Sequence, residues 1–196
     1  MSLQNVHVLH VHQKVTFMVN RYEVFADDNG KPGGQVGFAE QKRLKIKERI
    51  TIYTDSSKSQ VLFEFNARKA IDLGSGYDVT DANGQRIGLF RKDFAKSLLR
   101  STWHLEQPGL PAVTGAERNK WLAGFRRLWQ WIPFIGDAPF PMRYHFDFVA
   151  ENGAPVFSVD KKTWIRDHYL VTVQNPGVDR RLVIAQAVAL DALQSR

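Results

Sequence analysis

From Val6 to Val173 the apolar and β-branched residues fall in short runs, many of them alternating with polar residues and bounded by turn signals. Period-two alternation marks strands with one buried face, so this stretch predicts an all-β barrel or sandwich. The expected strands centre on Val6 to Val11, Thr16 to Val19, Tyr22 to Ala26, Gln35 to Lys42, Lys45 to Tyr53, Val61 to Arg68, Tyr77 to Thr80, Arg86 to Phe90, Leu98 to Leu105, Arg143 to Val149, Pro155 to Val159 and His168 to Val173. The pattern changes after the breaker Asn175-Pro176-Gly177. From Leu182 to Leu193 only Gln186 and Asp191 interrupt an Ala- and Leu-rich run, and Asp179 is suited to be its N-cap. A helix apolar nearly all round must be enclosed, and about 15 residues fall short of the roughly 20 that span a bilayer. The strands are therefore expected to wrap around it.

Three stretches repeat one plan: an aromatic-led strand, a polar turn with Asn-Gly, a second strand and a basic end. They are Tyr22 to Lys42, turning at Asn29-Gly30; Tyr77 to Lys92, turning at Asn83-Gly84; and Tyr144 to Lys162, turning at Asn152-Gly153. Asn-Gly supplies the positive φ angles of a type I′ turn, so each copy reads as a hairpin. The irregular spacing of the turns excludes a solenoid, whose stacked units need a fixed period. Hairpins closing around one axis fit better, because closure removes the exposed sheet edges.

The triple hairpin, the segment Tyr77 to Lys92 and the terminal Asp179-Arg180-Arg181-Leu182 to Leu193 together resemble the Tubby C-terminal-like superfamily, in particular its phospholipid scramblase and LURP-one-related branch. The resemblance runs from about Val15 to Leu193. It implies a closed antiparallel barrel of about twelve strands around a buried hydrophobic C-terminal helix, all-β apart from that helix, in one domain over residues 1–196. Animal scramblases carry cysteine-rich palmitoylation segments and an acidic calcium-binding stretch, whereas this chain has no cysteine. Counting back from Gly30, Gly84 and Gly153, the first position of an EF-hand-like loop would be Phe25, Val79 or Phe148, none of which ligates calcium.

A further departure is an inserted segment at 107–142, bracketed by Pro108, Pro111, Pro133, Pro139 and Pro141. Within it, Glu117 to Ile132 has helical periodicity. Trp121, Leu122, Phe125, Leu128, Trp129, Trp131 and Ile132 share one arc, and Asn119, Lys120, Arg126, Arg127 and Gln130 the other. Two fates are open to such a helix: packing its apolar face on the sheet, or lying in a membrane interface with its cations on anionic lipid. Trp121, Phe125, Leu128, Trp129 and Ile132 are the candidate membrane contacts.

Charge adds to this picture. The chain has 27 Lys and Arg against 20 Asp and Glu, a formal net charge of +7, which favours anionic partners. Arg43, Lys45, Lys47 and Arg49 alternate with Leu44, Ile46, Glu48 and Ile50, so a strand there would present four cations on one face. With Arg126 and Arg127 they are the candidate phosphate-binding residues; a solvated barrel face is the alternative. Lys92, Lys96 and Arg100, with Arg91 nearby, form a second basic group.

Other chemistry is scarce. Of His7, His10 and His12, only the last two share a strand face, and zinc sites need three or four ligands, so no metal site is read from that run. Gly74-Ser75-Gly76 is too short for a nucleophile elbow, and no phosphate-cradling Gly-rich loop is followed by Lys-Ser/Thr. No catalytic residue and no cofactor are expected. The N-terminus lacks a secretory pattern, which suggests a cytoplasmic location, with peripheral attachment to the inner membrane face. The reading is a non-enzymatic module for anionic phospholipid or phosphoinositide. A nucleic-acid-binding or regulatory protein using the same charge is the alternative, with lipid scrambling third; protein partners and oligomeric state stay open.

Overall fold

Alternation is borne out in several strands, although Ile87 to Phe90 and Val156 to Val159 are buried on both faces. In β2 (Val19–Asp28), Asn20, Tyr22, Val24 and Ala26 are buried while Arg21 is exposed; in β12 (His168–Val173), Tyr169, Val171 and Val173 are buried. A computed structural model describes residues 2–15, 19–42, 49–68, 76–93, 101–118, 145–163 and 168–194. The other strands are β1 (Val8–Val15), β3 (Lys31–Lys42), β4 (Arg49–Tyr53), β5 (Val61–Ala67), β6 (Tyr77–Asp81), β7 (Arg86–Asp93), β8 (Thr102–Glu106), β9 (Val113–Glu117), β10 (His145–Ala150) and β11 (Pro155–Lys161). Each pairs antiparallel with its neighbours in sequence, and β1 pairs with β12, which closes an up-and-down barrel of twelve strands.

The number twelve agrees with expectation, but the membership differs. Val19 opens β2 rather than closing a separate Thr16 to Val19 strand; residues 16–18 lie outside the described residues. In its place stands β9, which the proline-rich look of the inserted segment concealed. β9 buries Val113, Gly115 and Glu117 and pairs with both β8 and β10, so residues 113–117 belong to the barrel wall. Glu117, expected to open a helix, therefore ends a strand. Its backbone N–H bonds to Ser101 O (3.4 Å), a cross-strand pairing that outweighs local helical periodicity.

The three Asn-Gly hairpins form, by two turn geometries. Asn29 and Gly30 both have positive φ (51° and 81°), as type I′ requires, in a two-residue loop between Asp28 and Lys31. At the other two only Gly84 and Gly153 have positive φ (both 80°). Gly84 N–H bonds to Asp81 O (3.0 Å) and Asp81 N–H to Gln85 O (2.9 Å), giving a three-residue loop that ends on a left-handed glycine; residues 150–154 repeat it.

The helix α1 (Arg180–Gln194) fills the barrel. Every residue from Leu182 to Leu190 is buried, Gln186 included. Asp179 caps it: its Oδ1 accepts from Arg181 N–H (2.9 Å), and its carbonyl accepts the first helical bond, from Val183 N–H (3.2 Å). Around this start the chain ties a lock. Gln4 donates to Asp179 Oδ1 (2.9 Å) and accepts from Arg180 N–H (3.1 Å), while Gln107 accepts from Asp179 N–H (2.7 Å) and donates to Gly177 O (2.9 Å). The buried Arg180 guanidinium donates to the carbonyls of Val6, Pro176 and Val178. Those carbonyls offset the cost of holding a cation at the positive end of a helix dipole.

Two glycines let the layers approach. A Cβ on Gly88 would lie 2.5 Å from Glu106 O and 2.8 Å from Leu182 Cδ2, so α1 nests against β7 only because that position is bare. A Cβ on Gly115 would lie 2.2 Å from the ring of Phe148, which stacks on Phe157 at 4.1 Å.

Candidate functional site

Alternating direction gives this barrel two unlike rims. The proximal rim holds the three Asn-Gly turns, residues 54–60 and 107–112, and the lock at the start of α1. At the distal rim end β1, β3, β5, β7, β9 and β11, and there begin β2, β4, β6, β8, β10 and β12. The connections 16–18, 43–48, 69–75, 94–100, 119–144 and 164–167 thus all leave from and return to the distal rim. Between them they carry eleven Lys and Arg and four Asp and Glu, a net of +7, whereas the rest of the chain holds sixteen of each. The whole formal excess of positive charge therefore belongs to connections anchored at one rim.

Most of the sequence-predicted site falls in them. Arg43, Lys45 and Lys47 of the basic stripe, Arg126 and Arg127, and the apolar Trp121, Phe125, Leu128, Trp129 and Ile132 lie outside the described residues, as do Lys96 and Arg100. What the structure brings together is their anchorage: the strands that bear both groups end at the same rim.

Arg49 lies within the described residues. It is exposed at the start of β4, with Ile50 and Ile52 turned inward, so the expected alternation holds there. It pairs with Glu64 of β5, whose other oxygen accepts from Thr51 Oγ1 at 2.8 Å. The barrel wall is similarly neutralised elsewhere, by Lys14 with Glu23, Arg21 and Lys58 with Glu40, and Arg68 with Asp78, each at 2.9 Å. The hydrogen bonds of Lys58 and Arg21 hold the Glu40 carboxyl below its ordinary range. Lys92 and Arg91 point to opposite faces: Lys92 follows the buried Trp103, its Nζ 5.9 Å from the ring centroid, and Arg91 is exposed.

The ends of the 119–144 connection are clipped together. Arg118 N–H bonds to His145 O (2.8 Å), and the Arg118 guanidinium grips Asp147 through two hydrogen bonds, one of 2.7 Å. His145 Nδ1 sits 2.8 Å from Asp160. The Asp147 hydrogen bonds raise the Arg118 pKa above its usual value. Sequence reasoning missed this clamp because its members come from β10, β11 and the residue after β9, far apart in the chain.

A second cluster lies on the outer wall. His10 and His12 of β1 are joined by His168 of β12, and one ring nitrogen from each lies within 4.8 Å of the other two. His10 Nδ1 is 3.0 Å from His168 Nε2, and His10 Nε2 is 2.7 Å from Asp27 Oδ1. The His12 ring meets His168 edge-on at 4.4 Å between centroids, and its Nε2 is buried without a hydrogen-bond partner among the described residues. Burial, then His12, His10 and Lys162, push His168 down to about 4 from 6.5. The sequence signal was half present: the spacing of His10 and His12 showed two donors on one face, and only strand pairing across the closure of the barrel supplied the third.

A closed twelve-stranded antiparallel barrel with an apolar C-terminal helix along its inside is the fold of the Tubby C-terminal-like superfamily. Within it, the family model described as LURP-one-related matches residues 35–191, most of the barrel together with the helix. The chain belongs to the LURP-one-related family. No curated protein matches it. No helix among the described residues is long and apolar enough to cross a membrane.

Proposed function

We propose that this protein is a non-enzymatic module that docks peripherally on anionic phospholipid or phosphoinositide surfaces through its distal rim. The observation that carries this is the segregation of charge: the six distal connections hold the entire net charge of +7, against a balanced remainder. A surface with a patch of one sign attracts an opposite surface far more strongly than the same charges scattered over a sphere. One of these connections also holds the Trp- and Arg-rich 119–132 stretch, whose aromatic residues suit head-group depth and whose cations suit anionic lipid. Arg126, Arg127, Arg43, Lys45 and Lys47 would meet phosphate, and Trp121, Phe125, Leu128, Trp129 and Ile132 the acyl boundary. The barrel interior, filled by α1, suits a structural scaffold better than a substrate chamber. Members of this family are generally non-enzymatic, which agrees with that reading.

Liposome flotation tests it. Binding to vesicles containing phosphatidylserine or phosphoinositide, absent for neutral vesicles, falling with salt and reduced at least tenfold by Trp121→Ser with Trp129→Ser, is the expected result. Each polybasic contact near a charged membrane contributes about 1 kcal/mol, so Arg126→Gln with Arg127→Gln should weaken binding roughly tenfold or more. Failure to float with any vesicle at low salt would sink the proposal and turn attention to nucleic acid, which would use the same charge.

A further inference from the structure

We propose that His10, His12 and His168 form a site for one divalent transition-metal ion, with zinc the best fit, and that Asp27 orients His10 within it. The site is built by the barrel. Period two places His10 and His12 on the outer face of β1, antiparallel pairing sets His168 directly opposite His12, and the β1–β2 register brings Asp27 to His10. Three imidazoles with an open fourth position is an established zinc donor set.

The hydrogen bonds prepare this set. An ionised carboxylate only accepts, so the 2.7 Å contact with Asp27 requires the proton of neutral His10 to sit on Nε2 and leaves its Nδ1 lone pair facing His168. Asp27 is fixed in turn by Gly30 N–H, which donates to its other oxygen at 3.0 Å. A carboxylate behind a ligating imidazole, itself held by the backbone, is the usual outer support of a histidine–metal bond.

Without metal, the His10–His168 contact is satisfied by a proton on His168 Nε2. Ion binding replaces that hydrogen bond, with the His168 ring proton carried on Nδ1 instead. Ligand nitrogens around a tetrahedral ion with bonds of about 2.05 Å stand roughly 3.3 Å apart. His10 Nδ1 and His168 Nε2 already stand 3.0 Å apart, and one nitrogen of each of the three rings lies within 4.8 Å of the others, a span that small ring rotations can close. The independent mark is His12 Nε2, a buried nitrogen with no hydrogen-bond partner among the described residues. A buried polar atom left unpaired is rare and costly, and a metal ion shared with His10 and His168 gives it a partner. Glu23, across from His12 on β2, is engaged by Lys14, which leaves the fourth position to water.

The test is titration of the chelator-stripped full chain with Co²⁺, followed by its visible ligand-field absorption, then displacement by Zn²⁺. One equivalent should saturate, with the strong bands of a tetrahedral site. His12→Asn and His168→Asn should each weaken binding at least tenfold and Asp27→Asn about tenfold, while His7→Ala leaves it unchanged. Should a variant fail to fold, Zn²⁺ titration of the wild-type chain by imidazole NMR decides. Resonances of His10, His12 and His168 must move together while those of His7, His104 and His145 stay. Absence of cobalt bands in the wild-type chain, or binding indifferent to the three histidines, overturns the proposal.

Discussion

Asp179 shows how much one side chain can organise. It caps α1, receives Gln4 and forks onto Arg181, whose guanidinium donates to it at 3.1 and 2.7 Å. Burial pulls its pKa up, but the hydrogen bonds from Arg181, Gln4 and the Arg181 N–H outweigh this and hold it below the ordinary carboxylate value. A carboxyl depressed in the folded state stabilises fully above its unfolded pKa and loses that contribution as pH falls through the folded value. Asp179→Ala should therefore cost about 1–2 kcal/mol in urea unfolding at neutral pH. The gap between wild type and variant should stay constant above about pH 5 and shrink below about pH 4. Gly115 tests packing at the same scale. Gly115→Ala drives a methyl into the Phe148 ring and should destabilise by about 1–3 kcal/mol, read as a lower urea midpoint with unchanged slope. A stability equal to wild type would mean that Phe148 can move off its stack with Phe157.

At the level of elements, how much was legible depended on how local the cause was. The cap, the breaker before it and the enclosed helix could all be read in advance, since propensity, capping and an unbroken apolar run act within a few residues. The three hairpins could be read for the same reason, though not their turn types, because a lone left-handed glycine and an Asn-Gly pair look alike in sequence. β9 could not: Val113 to Glu117 has weak alternation and prolines nearby, and its strand state comes from β8 and β10 on either side. This also trims the insertion. Arg118 and His145 are already hydrogen-bonded, so a short turn could join β9 to β10 with little loop-closure cost. Replacing 119–144 by a Gly-Ser linker should leave the circular dichroism spectrum of a barrel and cooperative unfolding intact. The same variant should lose vesicle flotation. A chain that no longer folds would show that the segment is part of the core.

For the whole molecule, the decisive property is which end each connection belongs to. Composition gives a charge of +7 spread over 196 residues, a weak indication by itself. Only the up-and-down order of a closed barrel anchors every second connection at one rim, and the connections anchored there hold the excess. The candidate phosphate-binding residues were thus legible as cations in a pattern, and their common anchorage was not. The histidine site follows the same logic, since β1 and β12 meet only when the barrel closes.

What the sequence determined by itself is what short-range physics controls: strands from period two, hairpins from Asn-Gly, a capped and enclosed helix from its apolar run, and from their order the superfamily. What tertiary structure alone decided is which distant residues share a place: the β9 wall, the Arg118 clamp, the asymmetric rims and the pairing of His168 with His10 and His12. The physical reason is that strand neighbours are chosen by register and closure over the whole chain, and no local window of sequence contains both partners.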